Sequence, residues 1–393
     1  MYVNRDLEQK IIKYMDRPEI IAVTGARQCG KTTMVNHLLQ YYENVKTVTL
    51  EDINIKLLFE EDIDSFIELY VKGFDYLFID EVQYAEKSGK QLKYIYDTQN
   101  IKIIVSGSSS TDLSIKSFKY LVGRVLVFSL YPFSFREFLS FRAPRLYKIF
   151  IKKDFKKIIN QKLLKYIHEY LQFGGYPEVT LATTQEEKKT LLKNLYNTYL
   201  LREIKEILQL SNNHKLVRLI RALALQIGDL IQYNELSRLS GFEFNTLKKY
   251  LYILEKTFIC QRCHPFFTNK RKELVKTPKI YFLDNGFRNQ CVDDFSLNDQ
   301  KLGHLYENLI FSEFIKKGTQ LKFWRTKSKA EVDFIKDDQI PIEIKKSPKT
   351  TRSFLSFIKK YNPEQGYIVS EQEQSPQSRK GCRIFFPSFP KFL

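Results

Sequence analysis

Apolar and polar positions follow different rhythms along this chain, and the changes of rhythm divide it. In the first third, short runs that are apolar throughout end in small or acidic residues: PEIIAV before a glycine loop, Tyr76–Ile79 before Asp80, Ile101–Val105 before Ser106, and VLVF after Arg124. Runs of that kind predict strands buried on both faces, as in a parallel sheet flanked by helices. From residue 143 to residue 210, Leu, Ile, Tyr and Phe recur at helical spacing among lysines, with a turn signal at FGGYP, Phe173–Pro177. Three more helical segments follow at about Leu216–Ile227, Tyr233–Ser240 and Phe244–Glu255, the last two separated by Gly241. KIYFLD then predicts a strand, and KLGHLYENLIFSEFIKK an amphipathic helix with Leu302, Leu305, Leu309 and Phe314 near one face. LKFWRTKSKAEVDFI and IPIEIKKS predict two further strands joined by a tight hairpin. The expected fold is α/β, divided into a sheet domain over 1–142, a helical lid or linker over 143–210, a winged-helix-like segment over 211–275 and a second α/β domain over 276–393.

The first strand runs into GARQCGKT, Gly25 to Thr32, and then into a helical pattern. This satisfies G-x-x-x-x-G-K-[ST] in the strand-loop-helix context that the motif requires. Gly25 and Gly30 let the backbone wrap round phosphates, and N–H groups at the helix start donate to them. The expected nucleotide-binding residues are Gly25, Ala26, Arg27, Gln28, Cys29, Gly30, Lys31, Thr32 and Thr33. Lys31 would reach the β and γ oxygens, and Thr32 would hold Mg²⁺. Cys29 also reads as a small filler side chain. At the end of FDYLFIDEVQ, Asp80 would hold the Mg²⁺ hydration shell and Glu81 would polarise the attacking water. Ser106 or Ser108 would sense the γ-phosphate from a third strand end. Arg124 would stabilise transition-state charge in cis or across a subunit interface, with a surface salt bridge as its bland alternative. ATP and Mg²⁺ are the expected cofactors.

The set GARQCGKTT, LFIDEVQ, IVSGSSS and GRVLVFSLYPFSFREF resembles the prokaryotic AAA-type ATPases that carry a conserved C-terminal domain of unknown function. The resemblance continues through LQFGGYPEV, NLYNTYLLREI, VKTPKIYFLDNGFRN and HLYENLIFSEF, so it spans nearly the whole chain. It implies a doubly wound P-loop core followed by helical, winged-helix and nuclease-like parts.

Charge changes the picture of the later segments. The chain of 393 residues has a formal net charge of +18, yet residues 1–142 hold 18 Lys+Arg against 19 Asp+Glu. Residues 143–393 hold 45 against 26, so the basic excess lies entirely there and points to a polyanionic partner, DNA foremost. The segment around Tyr233–Glu255 reads as a helix-turn-helix whose last helix would present Asn245, Thr246, Lys248 and Lys249 to DNA. Its other reading is a packing module. Cys260-Gln261-Arg262-Cys263-His264 matches a haem-attachment pattern, but it sits in a strand-like stretch with no further ligands at zinc spacing. Five scattered cysteines, no apolar run of membrane-spanning length and no apolar signal core at the N-terminus lead us to expect a cytoplasmic chain with no membrane contact.

In the C-terminal segment, a helix with Glu307, a strand with Asp333 and a strand with Glu343-Ile344-Lys345 follow the order of the nuclease fold named for its PD-(D/E)XK motif. The Pro of that motif is absent, since Val332 precedes Asp333. The resemblance implies that Glu307, Asp333 and Glu343 ligate a metal and that Lys345 orients water. Trp324, Arg325 and Lys327 would touch a nucleic-acid backbone. The expected protein is thus an ATP-hydrolysing enzyme coupled to a basic, nuclease-like, nucleic-acid-binding module. The alternative is an ATP-driven switch whose inactive nuclease-like domain recruits protein partners. A homo-oligomer is compatible with either.

Overall fold

Five strands from the first third of the chain form one all-parallel sheet: β1 (Ile20–Gly25), β2 (Val45–Thr49), β3 (Tyr76–Asp80), β4 (Lys102–Ser108) and β5 (Val125–Leu130). Their order across the sheet is β2-β3-β4-β1-β5. The computed structural model describes residues 2–108, 118–198, 204–208, 210 and 213–393. It divides into two units, Met1–Phe133 with Tyr252–Phe258, and Ser134–Leu251 with Ile259–Leu393. In the first unit the core joins Ile20, Ala22, Leu77, Ile79, Ile103 and Val105 of the strands to Phe59, Phe66, Leu92 and Ile95 of the helices Ile53–Glu61, Ile63–Tyr70 and Ser88–Thr98. The uninterrupted apolar runs of β1, β3 and β4 mark strands covered on both faces, but the run VLVF does not: β5 is an edge strand with Val127 exposed. β2 escapes that signal because VKTVT is an edge strand with a single buried residue, Val48.

The carboxyl ends of β1, β3 and β4 lie together at one edge of the sheet, where β1 stands between β4 and β5. In sheets of this kind, ligands bind outside the carboxyl ends where the strand order switches. The glycine loop, Asp80 with Glu81, and Ser106 with Ser108 are all delivered to that edge.

The second unit is built on a mixed sheet of eight strands: β6 (Cys260–Pro265), β7 (Lys279–Phe282), β8 (Leu321–Arg325), β9 (Glu331–Lys336), β10 (Ile340–Ile344), β11 (Gln365–Val369), β12 (Gln374–Arg379) and β13 (Cys382–Phe386). Its order is β12-β13-β11-β10-β9-β8-β6-β7. The boundary expected between residues 275 and 276 thus falls between two strands of one sheet. β9 and β10 form the expected antiparallel hairpin, with Ile342 opposite Phe334. Asp337 and Asp338 both take left-handed backbone angles at its tip, which suits the right-handed twist of the flanking strands. Phe311 of the helix Asp299–Lys316 stacks on Tyr281 and lies against Phe334. Phe354, Phe357 and Ile358 of the helix Arg352–Tyr361 pack with Trp324, Ile335, Ile368 and Ile384.

The helices of the 143–210 segment belong to this second unit. Among them Lys157–Phe173 ends in the FGGYP turn, which docks on the end of β7. Asp284, buried there, caps the helix Asn285–Val292 through the Phe287 N–H (2.8 Å) and also accepts from the Gly175 N–H (2.7 Å). Asn289 donates to the carbonyls of Leu171 and Gln172 at 2.9 and 3.0 Å. Polar side chains from beyond residue 280 therefore terminate a helix that ends before residue 175. The helices His214–Leu225, Tyr233–Ser240 and Phe244–Lys256 appear where the periodicity places them, with left-handed Gly241 closing the second.

A β-carbon on Gly286 would lie 2.0 Å from the carbonyl oxygen of Phe173. Gly286→Ala should therefore force the helix Asn285–Val292 off the FGGYP turn and cost about 1–3 kcal/mol or more. Urea unfolding of the full chain tests this; an unchanged midpoint would show that the two segments are not held in contact.

Candidate functional site

The glycine loop is shaped by its packing. A β-carbon on Gly25 would come within 2.1 Å of the Leu130 carbonyl oxygen at the end of β5, so the chain passes there without a side chain. Ala26 and Cys29 are buried, and the Cys29 thiol faces the same Leu130 carbonyl at 3.4 Å. Burial pushes that thiol up, which leaves Cys29 as packing. Arg27, Gln28 and Thr33 are exposed. Gln28 and Gly30 take left-handed backbone angles, φ 58° and 90°, and the helix Lys31–Leu39 starts immediately after. Successive left-handed and helical residues leave backbone N–H groups facing one concavity, an arrangement suited to anions. The buried Lys31 ammonium rests against the carbonyl oxygens of Gly25 (3.3 Å) and Ala26 (3.1 Å), within the loop it would use to reach phosphates.

Asp80 gathers the neighbouring strand ends. Its Oδ2 accepts from the Thr32 hydroxyl at 2.7 Å, and its Oδ1 from the Ser106 hydroxyl and, at 3.1 Å, from the Glu81 N–H. The donor set fits Mg²⁺: a hydroxyl for direct ligation stands beside a carboxylate placed to hold the ion's waters. Glu81 is half-buried, has φ 53° and accepts a hydrogen bond from the Gln83 amide. Of the two serines considered as sensors, Ser106 makes the contact with Asp80; the side chain of Ser108 lies outside the described residues.

Arg124 requires a correction. It precedes β5, and Val125 pairs with Ile20 at the amino end of β1, whereas the glycine loop leaves the carboxyl end. Five residues of strand at about 3.3 Å each put roughly 17 Å between them. Its guanidinium bonds Asp97 at 2.9 Å on the half-exposed surface, so within one chain it is a surface ion pair and does not act on the phosphates.

In the second unit, Glu307, Asp333, Glu343 and Lys345 are brought into electrostatic contact, but in an arrangement that the sequence did not reveal. Lys345 lies 3.7 Å from Asp333 and 3.5 Å from Glu343. Glu343 also accepts from the Thr351 hydroxyl at 2.8 and 2.9 Å, and Asp333 from the Ile344 N–H at 2.7 Å. Glu307 is claimed by Lys279, a buried lysine at the head of β7, at 4.0 Å and by the Tyr281 hydroxyl at 3.2 Å. Lys279 in turn bonds Glu331 at 2.5 Å. Burial draws the Lys279 ammonium down, but the charges of Glu307, Asp333 and Glu331 overcome it and hold it above its ordinary value. Lys345 is likewise raised, since Asp333, Glu343 and Glu307 outweigh its burial. Burial pushes the Glu343 carboxyl up to about 7 against the pull of Lys345.

Among the described residues, no group of three or more His, Cys, Asp or Glu side chains stands close enough to hold a metal ion. Glu307, Asp333 and Glu343, expected as metal ligands, do not form such a group in this arrangement. Two ammonium groups, Lys279 and Lys345, face these three carboxylates, and Lys279 is shared with Glu331. Lys279, Tyr281 and Thr351 were missed because a lysine opening a buried apolar strand carries no pattern of its own. Trp324 is also corrected: it is buried, with its indole N–H on the Tyr361 hydroxyl at 3.2 Å, and Arg325 pairs with Glu331 at 3.0 Å. Lys327 is exposed. Asn245, Lys248 and Lys249 are exposed and, at spacings of three and four, share one face of their helix, with Lys248 lying over the Phe244 ring. Cys260 and Cys263 are both buried and in no disulfide.

A parallel sheet with a phosphate loop after β1 and an Asp-Glu pair after β3 defines a Walker-type nucleotide-binding domain. In agreement, residues 17–139 match a family model described as an AAA domain. Residues 164–298 and 302–388 match two domains of unknown function, DUF8612 and DUF4143. An uncharacterized protein of Haemophilus influenzae is 27% identical over 355 residues, covering 84% of this chain and 83% of its own. An uncharacterized protein of Methanocaldococcus jannaschii is 27% identical over 351 residues, covering 85% of this chain and 74% of its own. The Walker-type ATPase PABY2304 of Pyrococcus abyssi superposes with a TM-score of 0.49 at 16% identity, covering 74% of this chain and 96% of its own. The chain therefore carries an AAA-type Walker ATPase domain followed by two domains of unknown function. No helix among the described residues is long and apolar enough to cross a membrane.

The charge cluster has a pH signature. Burial first, then the charge of Asp333, pushes the Glu307 carboxyl up to about 8, against Lys279, Lys345 and the Tyr281 hydroxyl. A carboxyl raised on folding contributes stability at low pH that is lost as pH climbs through its folded value. Stability should thus fall between about pH 4.5 and pH 8, and Glu307→Gln should flatten that decline. Urea midpoints at the two ends of this window test it; equal declines in wild type and variant would remove Glu307 as the cause.

Proposed function

We propose that this chain hydrolyses Mg-ATP at the loop edge of its parallel sheet and that nucleotide turnover acts on a basic 143–393 segment that binds nucleic acid. The observation that carries the ATPase reading is the hydrogen bond from Thr32 to Asp80. It supports a site in which Thr32 ligates Mg²⁺, Asp80 holds the ion's water shell and Lys31 leaves the loop carbonyls for the phosphate oxygens. The ion would neutralise charge on the β and γ oxygens. Glu81, next to Asp80 and hydrogen-bonded by the Gln83 amide, would orient the attacking water, and Ser106 would hold Asp80 in its orientation.

The nucleic-acid half of the proposal rests on charge: 45 basic against 26 acidic residues after position 142, with Asn245, Lys248 and Lys249 on one exposed helix face. That combination suits phosphate contacts with one amide for a base edge. The C-terminal cluster fits a non-cleaving role, because its lysines occupy its carboxylates. A protein partner on the same basic unit is the second reading, favoured if DNA proves irrelevant.

The test uses the full chain. Glu81→Gln should lower kcat for ATP by about 10²–10⁴ while leaving nucleotide affinity within a few-fold, whereas Lys31→Ala should abolish binding. Fluorescent duplex DNA should bind with a steep salt dependence, and Lys248→Glu with Lys249→Glu should make that dependence shallower by about two units of slope. No Mg²⁺-dependent cutting is expected. DNA that neither binds nor changes ATP turnover would remove nucleic acid as the partner.

A further inference from the structure

We infer that Arg5, in the segment before β1, is a positioning residue of the phosphate loop, holding the Cys29–Gly30 peptide so that the Gly30 N–H is presented to phosphate. This deepens the nucleotide-site reading above and rests on it. Arg5 lies 24 residues from Cys29 in sequence and is 5% exposed. Its guanidinium donates from Nη1 to the Cys29 carbonyl at 2.8 Å and from Nη2 to the Tyr131 carbonyl at 2.6 Å, and it lies 4.7 Å from the centre of the Phe133 ring. Charge-assisted bonds of this length are the strong ones, and the planar fork lets one side chain serve two carbonyls at once.

The consequence follows from peptide geometry. In a trans peptide the C=O and the following N–H point in opposite directions. With the Cys29 carbonyl fixed on Arg5, the Gly30 N–H must face the other way, out of the protein body and beside the start of the helix Lys31–Leu39. Gly30 takes φ 90°, a left-handed angle directly before the helix Lys31–Leu39, the kind of left-handed-to-helical step that forms an anion-binding concavity. Through Tyr131 the same guanidinium ties the loop to the chain just beyond β5, and a buried positive charge under the loop favours an anion above it.

Arg5 is itself held. Glu8, one turn on, accepts from the Arg5 N–H at 3.1 Å, faces His37 Nδ1 of the loop's own helix at 3.2 Å, and accepts from the Tyr2 hydroxyl. Tyr2 stacks on His37 with ring centres 3.7 Å apart. The helix Asp6–Ile12 is therefore fastened to the phosphate loop and to the helix that follows it, and the segment before β1 becomes part of the nucleotide site.

The experiment measures Mg-ADP and Mg-ATP binding and the KM and kcat of ATP hydrolysis for the full chain as wild type, Lys31→Ala, Arg5→Ala and Arg5→Lys, each with its thermal melt. Arg5→Ala should weaken nucleotide binding about tenfold or more, with KM rising further than kcat falls, and millimolar guanidinium should restore part of the loss. Arg5→Lys, which keeps charge but serves one carbonyl at a time, should fall between; if Arg5→Ala does not fold, the inference is read on this variant. Wild type and Lys31→Ala binding alike would overturn the nucleotide site itself. Binding lost in Lys31→Ala but kept within twofold of wild type in the folded Arg5 variants would overturn the role of Arg5 alone. A loss that guanidinium leaves untouched and that tracks the melting temperature would also overturn it, since Arg5 would then be structural only.

Discussion

A carboxylate removed from water must find hydrogen bonds or lose its charge, and at the edge of the parallel sheet that constraint falls on Asp80. It is 8% exposed and takes donors from three places: the Thr32 hydroxyl on the loop helix, the Ser106 hydroxyl on β4 and the N–H of Glu81. An unpaired buried ion costs several kcal/mol, so each of these donors is held in place by the charge it satisfies. The result is a rigid triangle between the end of β3, the end of β4 and the first turn after the loop. The loop, the acid pair and the third-strand serine therefore acquire their mutual geometry from one side chain, and the nucleotide chemistry depends on that geometry more than on any residue alone.

The C-terminal cluster meets the same constraint in another way. Glu307, Asp333 and Glu343 are also withdrawn from water, but their counter-charges are the lysines 279 and 345, carried by the sheet itself. Lysine ammonium groups face these carboxylates, whereas the Asp80 carboxylate accepts from neutral donors, the Thr32 and Ser106 hydroxyls and the Glu81 N–H. Two acidic centres in one chain thus differ in the groups that face them, hydroxyls and a backbone N–H in one and ammonium groups in the other.

How much of this was legible in the sequence follows from how locally each feature is encoded. The glycine loop, Lys31, Thr32 and the Asp80-Glu81 pair sit at fixed spacings within continuous elements, so residue type and order suffice to read them. The hairpin at Asp337-Asp338 and the helices around Gly241 are equally local. Arg124 was left with two readings because a Gly-Arg step before a strand does not say which end of a parallel sheet it occupies; the pairing of Val125 with Ile20 does, and within the chain Arg124 forms the surface ion pair. Lys279 and Arg5 were invisible for a related reason. Each acts across more than 20 residues of sequence on partners chosen by the fold, Glu307 in one case and the Cys29 carbonyl in the other. The edge strand β2 and the shared sheet of β6, β7 and β8 likewise depend on neighbours and not on pattern.

The basic excess of the later segment gains meaning from these internal pairings. Each buried or half-buried pair, such as Lys279 with Glu331, Lys316 with Glu313 or Lys322 with Glu273, removes one charge of each sign from the exposed surface. The difference of 45 basic and 26 acidic residues is untouched by such cancellation and is carried by fewer exposed side chains. Lys248 and Lys249 on one helix and Arg352, Lys359 and Lys360 on another are among these exposed residues. The field at the surface follows that net charge and is screened by salt over about a Debye length. The lysines that face the carboxylate cluster are thus paired within the fold, and the basic character of the later segment resides in its exposed lysines and arginines.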